Sequence, residues 1–443
     1  MKKLFISSGL ILIIGLFSCK KEINTEAVQQ EVSTAKPPSP PPPTSILQWQ
    51  KFYGSSVHDR GESITKTLDG TGYILTATTL GNDRDVSDSH GGADAWVVKI
   101  DLNGNLLWQK AFGGTAGDYA YDISPTADGG YILCGASTST DGDLSELTNH
   151  GGTDLWVVKL SASGDMEWQK LLGGSGEERS GSVIQASDGS YLISGCTNST
   201  NGDIILNHGD YDVWMINLSS TGELLWQKTY GGSLYDAAGG NINSNILSQS
   251  DGFLLMAASA STNGDLSALT NHGGQDTWIL KIDISGNLLW SKTYGGTGGE
   301  GDGTIYPFDG GYLFSTTTTS NNGDVLGNHG YADTWVVKID ATGNKLWQQC
   351  FGGTDMDNAR IIDIDANGKI VLVGYSFSKN GDIPRTKADE DLWVLRLDAD
   401  GNKLYSDVIT GGDMANSAVP TNDGMYITSG RGNNDVWTVK FKF

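Results

Sequence analysis

Positive charge is scarce in this 443-residue chain: 29 Lys and Arg stand against 52 Asp and Glu, for a formal net charge of −23. Such a surface repels phosphate backbones and anionic lipid, so nucleic-acid binding is not expected. Cysteine is scarce too. Cys19, Cys134, Cys196 and Cys350 make no CxxC or other metal-type spacing. Cys134 and Cys196 sit in apolar runs, YILCGAS and YLISGC, and read as small buried hydrophobes, although a bridge between them is open in an oxidising compartment. No long 3.6-residue periodicity appears beyond the first residues, which excludes a helical bundle. The longest apolar run, Leu4–Phe17, is too short for a membrane-spanning helix, which needs about 20 residues.

That run follows Lys2 and Lys3 and suits a secretory signal peptide. It ends in Leu16-Phe17-Ser18-Cys19, which resembles a lipoprotein signal, with a small residue before a Cys that becomes lipidated. The resemblance implies cleavage after residue 18, lipid attachment at Cys19, and a cell-envelope address at the outer membrane or cell surface. Acyl chains would hold the acidic protein to the bilayer at about 0.8 kcal/mol per buried methylene. Residues 19–45 carry no aromatic residue, and six of the chain's ten prolines fall within Pro37–Pro43. This composition predicts a disordered, semi-rigid spacer.

What is abundant is repetition. Glycine reaches 61 residues, and from residue 46 the chain repeats at about 58 residues. The thirteen tryptophans fall into two registers. Trp96, Trp156, Trp214, Trp278, Trp335, Trp393 and Trp437 follow the pattern D-x-W. Trp49, Trp108, Trp168, Trp226, Trp290 and Trp347 open a second run, in which Tyr405 takes the seventh place. Each unit reads as four short β-strands bounded by Gly, Asn and Asp turns. The predicted fold is all-β: a seven-bladed β-propeller with four antiparallel strands per blade over residues 46–443. The chain begins on a fourth strand, LQWQK, and ends on a third, DVWTVKFKF. The N-terminal strand is therefore expected to close the last blade and leave no sheet edge at the seam.

These repeats resemble those of β-propeller lipoproteins of Bacteroidota. The blade GKIVLVGYS…DLWVLRLDADGNKL is similar to delta-60 repeats, and Thr221–Trp226 and Thr342–Trp347 resemble part of the quinoprotein-like repeat. The resemblance implies a propeller and leaves function open, since propellers host many activities. The vicinal cysteines of several quinoprotein dehydrogenases and the sialidase-type Asp-box are not met.

Loops after the second and fourth strands emerge on one face, the candidate functional surface. After strand two comes N/D-G-D, then N-H-G, then the Asp before Trp. The series is Asp83, Asp85, His90 and Asp94; Asp143, His150 and Asp154; Asp203, His208 and Asp212; Asp265, His272 and Asp276; Asp324, His329 and Asp333. A group present in five blades is explained more cheaply as blade architecture than as five binding sites. Calcium is the cation its oxygen ligands would suit, but no acid follows at bidentate spacing and no cofactor is expected. The Gly-Gly after strand four is read as the place where the chain crosses to the next blade. The repeat breaks at Arg385, Lys387 and Arg431, in the loops of blades six and seven, and in blade four's entry loop, residues 231–248. With Tyr211, Tyr235 and Tyr331, the best aromatic platforms, these make the candidate ligand face. No catalytic motif is found. The expected function is a non-catalytic recognition or scaffold module, monomeric, for a glycan or protein; a carbohydrate-active hydrolase or lyase is the alternative.

Overall fold

The computed structural model describes residues 45–238, 245–301, 303–384, 391–412 and 414–443. Seven antiparallel sheets account for all of its strands. In blade two the order is Asp118–Pro125, Tyr131–Ser137, Asp154–Leu160 and Met166–Leu172, from the axis outwards. The first strands of successive blades touch one another around the ring, and that of blade seven, Met414–Pro420, touches that of blade one, Asp59–Lys66. The molecule is a closed seven-bladed propeller.

Closure is made by the N-terminal strand. Ile46–Tyr53 pairs antiparallel with the last strand, Asp435–Lys442, and forms the outer edge of blade seven. Ser45 secures the entry: its backbone N–H donates to Asp407 at 3.0 Å, and its hydroxyl lies 2.9 Å from the Tyr405 hydroxyl in blade six.

The two tryptophan registers do different work. Those of the D-x-W register are at most 1% exposed, and each contributes a large apolar area to the core between blades. One such cluster joins Ile74 and Val97 of blade one to Leu133 and Trp156 of blade two. The second register is half-buried, and the turn glycine of the following blade lies over each ring. Gly164, at φ +83°, would place a Cβ 2.7 Å from Trp108, and Gly222, at the same φ, would meet Trp168. Glycine is required there twice over, by backbone conformation and by contact.

Cys134 and Cys196 are buried and form no disulfide with each other. Blade four differs from the sequence reading. Within residues 231–248, expected as an entry loop, Asp236–Ala237 and Ile246–Gln249 are strands, both paired to the second strand Gly252–Ser259, and residues 239–244 lie outside the described residues. Blade seven also differs. Arg431 lies not in a loop but within the strand Tyr426–Gly432, opposite Met414 and Val436. The turn is Asn433-Asn434, both at positive φ (54° and 67°), as a two-residue hairpin requires.

The buried indoles need acceptors. Trp96, Trp156, Trp214 and Trp335 each donate Nε1–H to a glutamine on the fourth strand at 2.7–2.9 Å, and Trp393 donates to Ser406 at 2.9 Å. Blade four has Ser291 at that register, and Trp278 Nε1 is buried with no partner. Ser291→Gln is expected to supply the acceptor and stabilise the protein by about 1 kcal/mol. Thermal unfolding measures this, and an unchanged or lower Tm would show that the indole is satisfied some other way.

Candidate functional site

The repeated His and Asp residues gather at the seams between blades. Asp154, buried at the start of a third strand, accepts the backbone N–H of His150 at 2.7 Å and lies 3.0 Å from His150 Nδ1. The other ring nitrogen lies 3.8 Å from Asp203 of the next blade, whose carboxylate accepts the Gly173 N–H at 3.0 Å. His208 meets Asp212 at 2.6 Å, His272 meets Asp276 at 2.8 Å, and His329 meets Asp333 at 2.7 Å. His272 also lies 3.7 Å from Asp324, and His90 lies 3.6 Å from Asp94 and 4.0 Å from Asp143. Asp143 and Asp265 each accept a Gly-Gly N–H at 3.0 Å. Each histidine thus stands between its own blade's buried Asp and, in three seams, an acid of the next blade.

Sequence reasoning missed the other half of the seam. An acid opens the first strand in Asp59, Asp118, Glu178, Asp236 and Asp357, and Glu300 bridges to Thr318 just ahead of the strand Thr304–Phe308; each is at most 1% exposed. Asp118 accepts from the hydroxyls of Ser137 and Ser139 and from the Gly114 N–H. The first glycine of the Gly-Gly after blades one to five lies against this acid and the acid before Trp: a Cβ on Gly352 would meet both Asp333 and Asp357. The crowding that demands glycine is therefore carboxylate against backbone. Burial first, and the neighbouring carboxylate after it, raise the pKa values of Asp276 and Asp333. The signal was legible as G-G-x-x-x-[DE], but it resembles ordinary loop polarity. Among the described residues no three of His, Cys, Asp or Glu converge as a metal cluster.

The proposed ligand-face residues separate. Cys19, Arg385 and Lys387 lie outside the described residues. Tyr331 is 70% exposed. Tyr211 and Tyr235 come together, ring centres 5.5 Å apart, and the Arg179 guanidinium lies 5.7 Å from the Tyr211 ring. Arg179 lies on an innermost strand, Glu178–Gln185, and it is along these strands that the sevenfold repetition fails. The residue after each of these seam acids is Arg60, Tyr119, Arg179, Ala237, Gly301 or Asn358.

Bulges add a second tier. The strand register skips Glu62 in blade one, Tyr121 in blade two and Asn416 in blade seven, so each is an extra residue on an innermost strand. A bulge re-aims its side chain. A cavity of about 340 Å³ is lined by His58, Arg60, Glu62, Tyr119 and Tyr121, among others, and a smaller one of about 200 Å³ by Arg60, Asn358, Arg360, Tyr375 and Asn416. Arg60 Nε lies 3.3 Å from Glu62 Oε1, while Glu62 Oε2 is buried with no hydrogen-bond partner. Burial pushes the Glu62 pKa up to about 7, against the opposing charge of Arg60. Tyr119 and Tyr121 are stacked, ring centres 6.1 Å apart and 8° from parallel. Deeper in the axis, Asp122 braces three blades, accepting from the Ser63 hydroxyl and the Val183 N–H at 3.0 Å each. Burial pushes its pKa up to about 6.

No family model matches the chain. Regulatory protein FlaEY of Caulobacter vibrioides is 22% identical over 407 residues, 82% of this chain and 42% of that protein. The chain therefore spans less than half the length of this relative. Among solved structures, the WD40 β-propeller domain of Doa1 is 12% identical, with a TM-score of 0.46 over 90% of this chain and 96% of that one. A streptogramin B lyase is 12% identical, with a TM-score of 0.41 over 89% and 98%. A protein of unknown function from Dyadobacter fermentans is 11% identical, with a TM-score of 0.42 over 90% and 100%. At these TM-scores the likenesses add nothing to the strand pairing itself.

A raised carboxyl pKa means the folded state holds the proton more tightly than the unfolded chain. The stabilisation is complete below about pH 4.5 and is lost as pH rises through about 7. Glu62→Gln, which keeps the neutral form, is expected to match the parent near pH 4 and exceed it at pH 8 by on the order of 2–3 kcal/mol. Urea unfolding at the two pH values tests this; an equal difference at both would mean that Glu62 does not titrate as described.

Proposed function

We propose that the protein is a lipid-anchored recognition module of the cell envelope that binds a glycan or protein, without catalysis, at the axial mouth of its looped face. Lipid on Cys19 would supply the membrane attachment, residues 20–45 the spacer, and the propeller the binding surface. The observation that carries the reading is the loss of sevenfold repetition at the innermost strands, where Arg60, Tyr119, Arg179 and Asn358 replace one another. Blade-building positions repeat because each blade meets the same neighbours. Positions facing the axis are free to differ, and here they differ toward polar and aromatic groups, the composition of a ligand pocket.

The His and Asp residues of the seams are assigned a structural role on the same reasoning, since they recur and their contacts are internal. Glu62 is the one carboxyl group among the described residues that line the larger cavity. That cavity does not assemble the paired acids of glycoside hydrolysis, which supports binding over cleavage. The likeness to a protein named as regulatory agrees with this.

Two measurements test the proposal. Replacing Cys19 with Ser should abolish palmitate labelling and release the protein from membranes; continued labelling would remove the anchor from the reading. On a glycan and envelope-protein array, Arg179→Ala and Tyr119→Ala should weaken binding about tenfold or more with little change in Tm. His150→Ala should instead lower stability by about 1 kcal/mol and leave binding intact. The reverse pattern would move the site from the axis to the seams.

A further inference from the structure

We propose that the cavity between blades one and two takes a sugar unit bearing a carboxylate, with Arg60 on the acid group, the Tyr119–Tyr121 pair beneath the ring and Glu62 hydrogen-bonding to it. The inference rests on the axial recognition reading and specifies its ligand.

Four observations carry it. Only seven arginines occur in a chain of net charge −23, and three of them, Arg60, Arg179 and Arg360, lie on innermost strands. Guanidinium groups, planar and weakly hydrated, match carboxylates in a way lysines do not. Arg60 meets Glu62 through Nε, a contact that does not use the two terminal nitrogens, the pair that forms bidentate contacts. Next, the two tyrosines stack beside that fork, their rings 8° from parallel, and present the cavity with an aromatic surface suited to the C–H face of a pyranose. Glu62 is 4% exposed and holds a buried oxygen without a partner at the same cavity. Leaving a buried polar atom unmatched is destabilising, and a ligand hydroxyl donating to it would remove that cost. Finally, the cavity volume of about 340 Å³ falls in the small-ligand range.

Glu62 also sets a pH dependence. The groups facing it are Arg60 and His58 from blade one and Tyr119 and Tyr121 from blade two, with Arg179 beyond Tyr121 and Arg360 beside Arg60. An ionised Glu62 competes with the ligand's carboxylate for Arg60, whereas a protonated one donates to it. Binding should therefore take up a proton and weaken as pH rises from 6 to 8.

The test uses the full-length protein in detergent and calorimetry with galacturonate, glucuronate and mannuronate tetrasaccharides, each beside its carboxyl-reduced counterpart. At least one acidic form should bind ten times or more tighter than its neutral counterpart. Arg60→Ala should erase that preference and Arg60→Lys should retain part of it, with Tm confirming that both fold. Glu62→Gln should hold at pH 8 the affinity that the parent shows at pH 6. Equal binding of acidic and neutral sugars would overturn the carboxylate assignment and leave the axial glycan reading standing. Binding of a poly-glutamate peptide with no sugar bound would overturn the sugar. A preference for acidic sugar that survives Arg60→Ala and Tyr121→Ala would place it elsewhere than this cavity.

Discussion

The whole ring depends on how one blade is fixed to the next, and that joint is built from buried carboxylates. An acid opens the first strand, a second acid opens the third strand of the preceding blade, and a glycine backbone passes between them. Burying one such charge without partners would cost several kcal/mol. The seam meets that cost with serine hydroxyls and backbone amides, as Asp357 shows by accepting from Ser376, Ser378 and Gly353. Asp154 takes its partners from His150 instead. Hydrophobic burial alone would let sheets slide over one another, because apolar contact has no direction. Directed hydrogen bonds at the seams fix the angle between blades and with it the closure at seven.

That constraint explains why repetition is strong at the seams and weak at the axis. A seam residue meets the same surroundings in every blade, so the tryptophans, the histidines and the paired acids recur. At the axis seven first strands converge on one another, and seven copies of one large side chain would collide. Small residues, Ala237, Gly301 and Gly303, occupy blades four and five, while blades one to three and six carry Arg60, Tyr121, Arg179 and Arg360. The cavity lies on the bulky side of that division. Its Glu62 is aimed there by a bulge, one extra residue in a strand whose neighbours pair regularly.

Much of this was written in the order of residues. The two tryptophan registers, the turn glycines and the split of one blade between the two ends specified seven blades and their closure, because strand alternation and Asp-Gly turns are local and repeat. The contact of His150 with Asp154 is also local, four residues apart. The axial site was not legible. Nothing in the order of residues marks Arg60, Tyr119 and Arg179, since nothing within a single blade says which side chains will meet those of the next. The bulge at Glu62 depends on hydrogen bonding to the second strand, and Arg431, which looks like a loop residue, is placed in a strand by the two-residue turn that follows it. Sequence alone determined the fold, because each blade is specified by short-range pattern and burial. Only the tertiary structure decided which side chains share the axis, because that is settled by closing the ring, which brings together residues some sixty positions apart or, at the blade seven–blade one seam, more than three hundred.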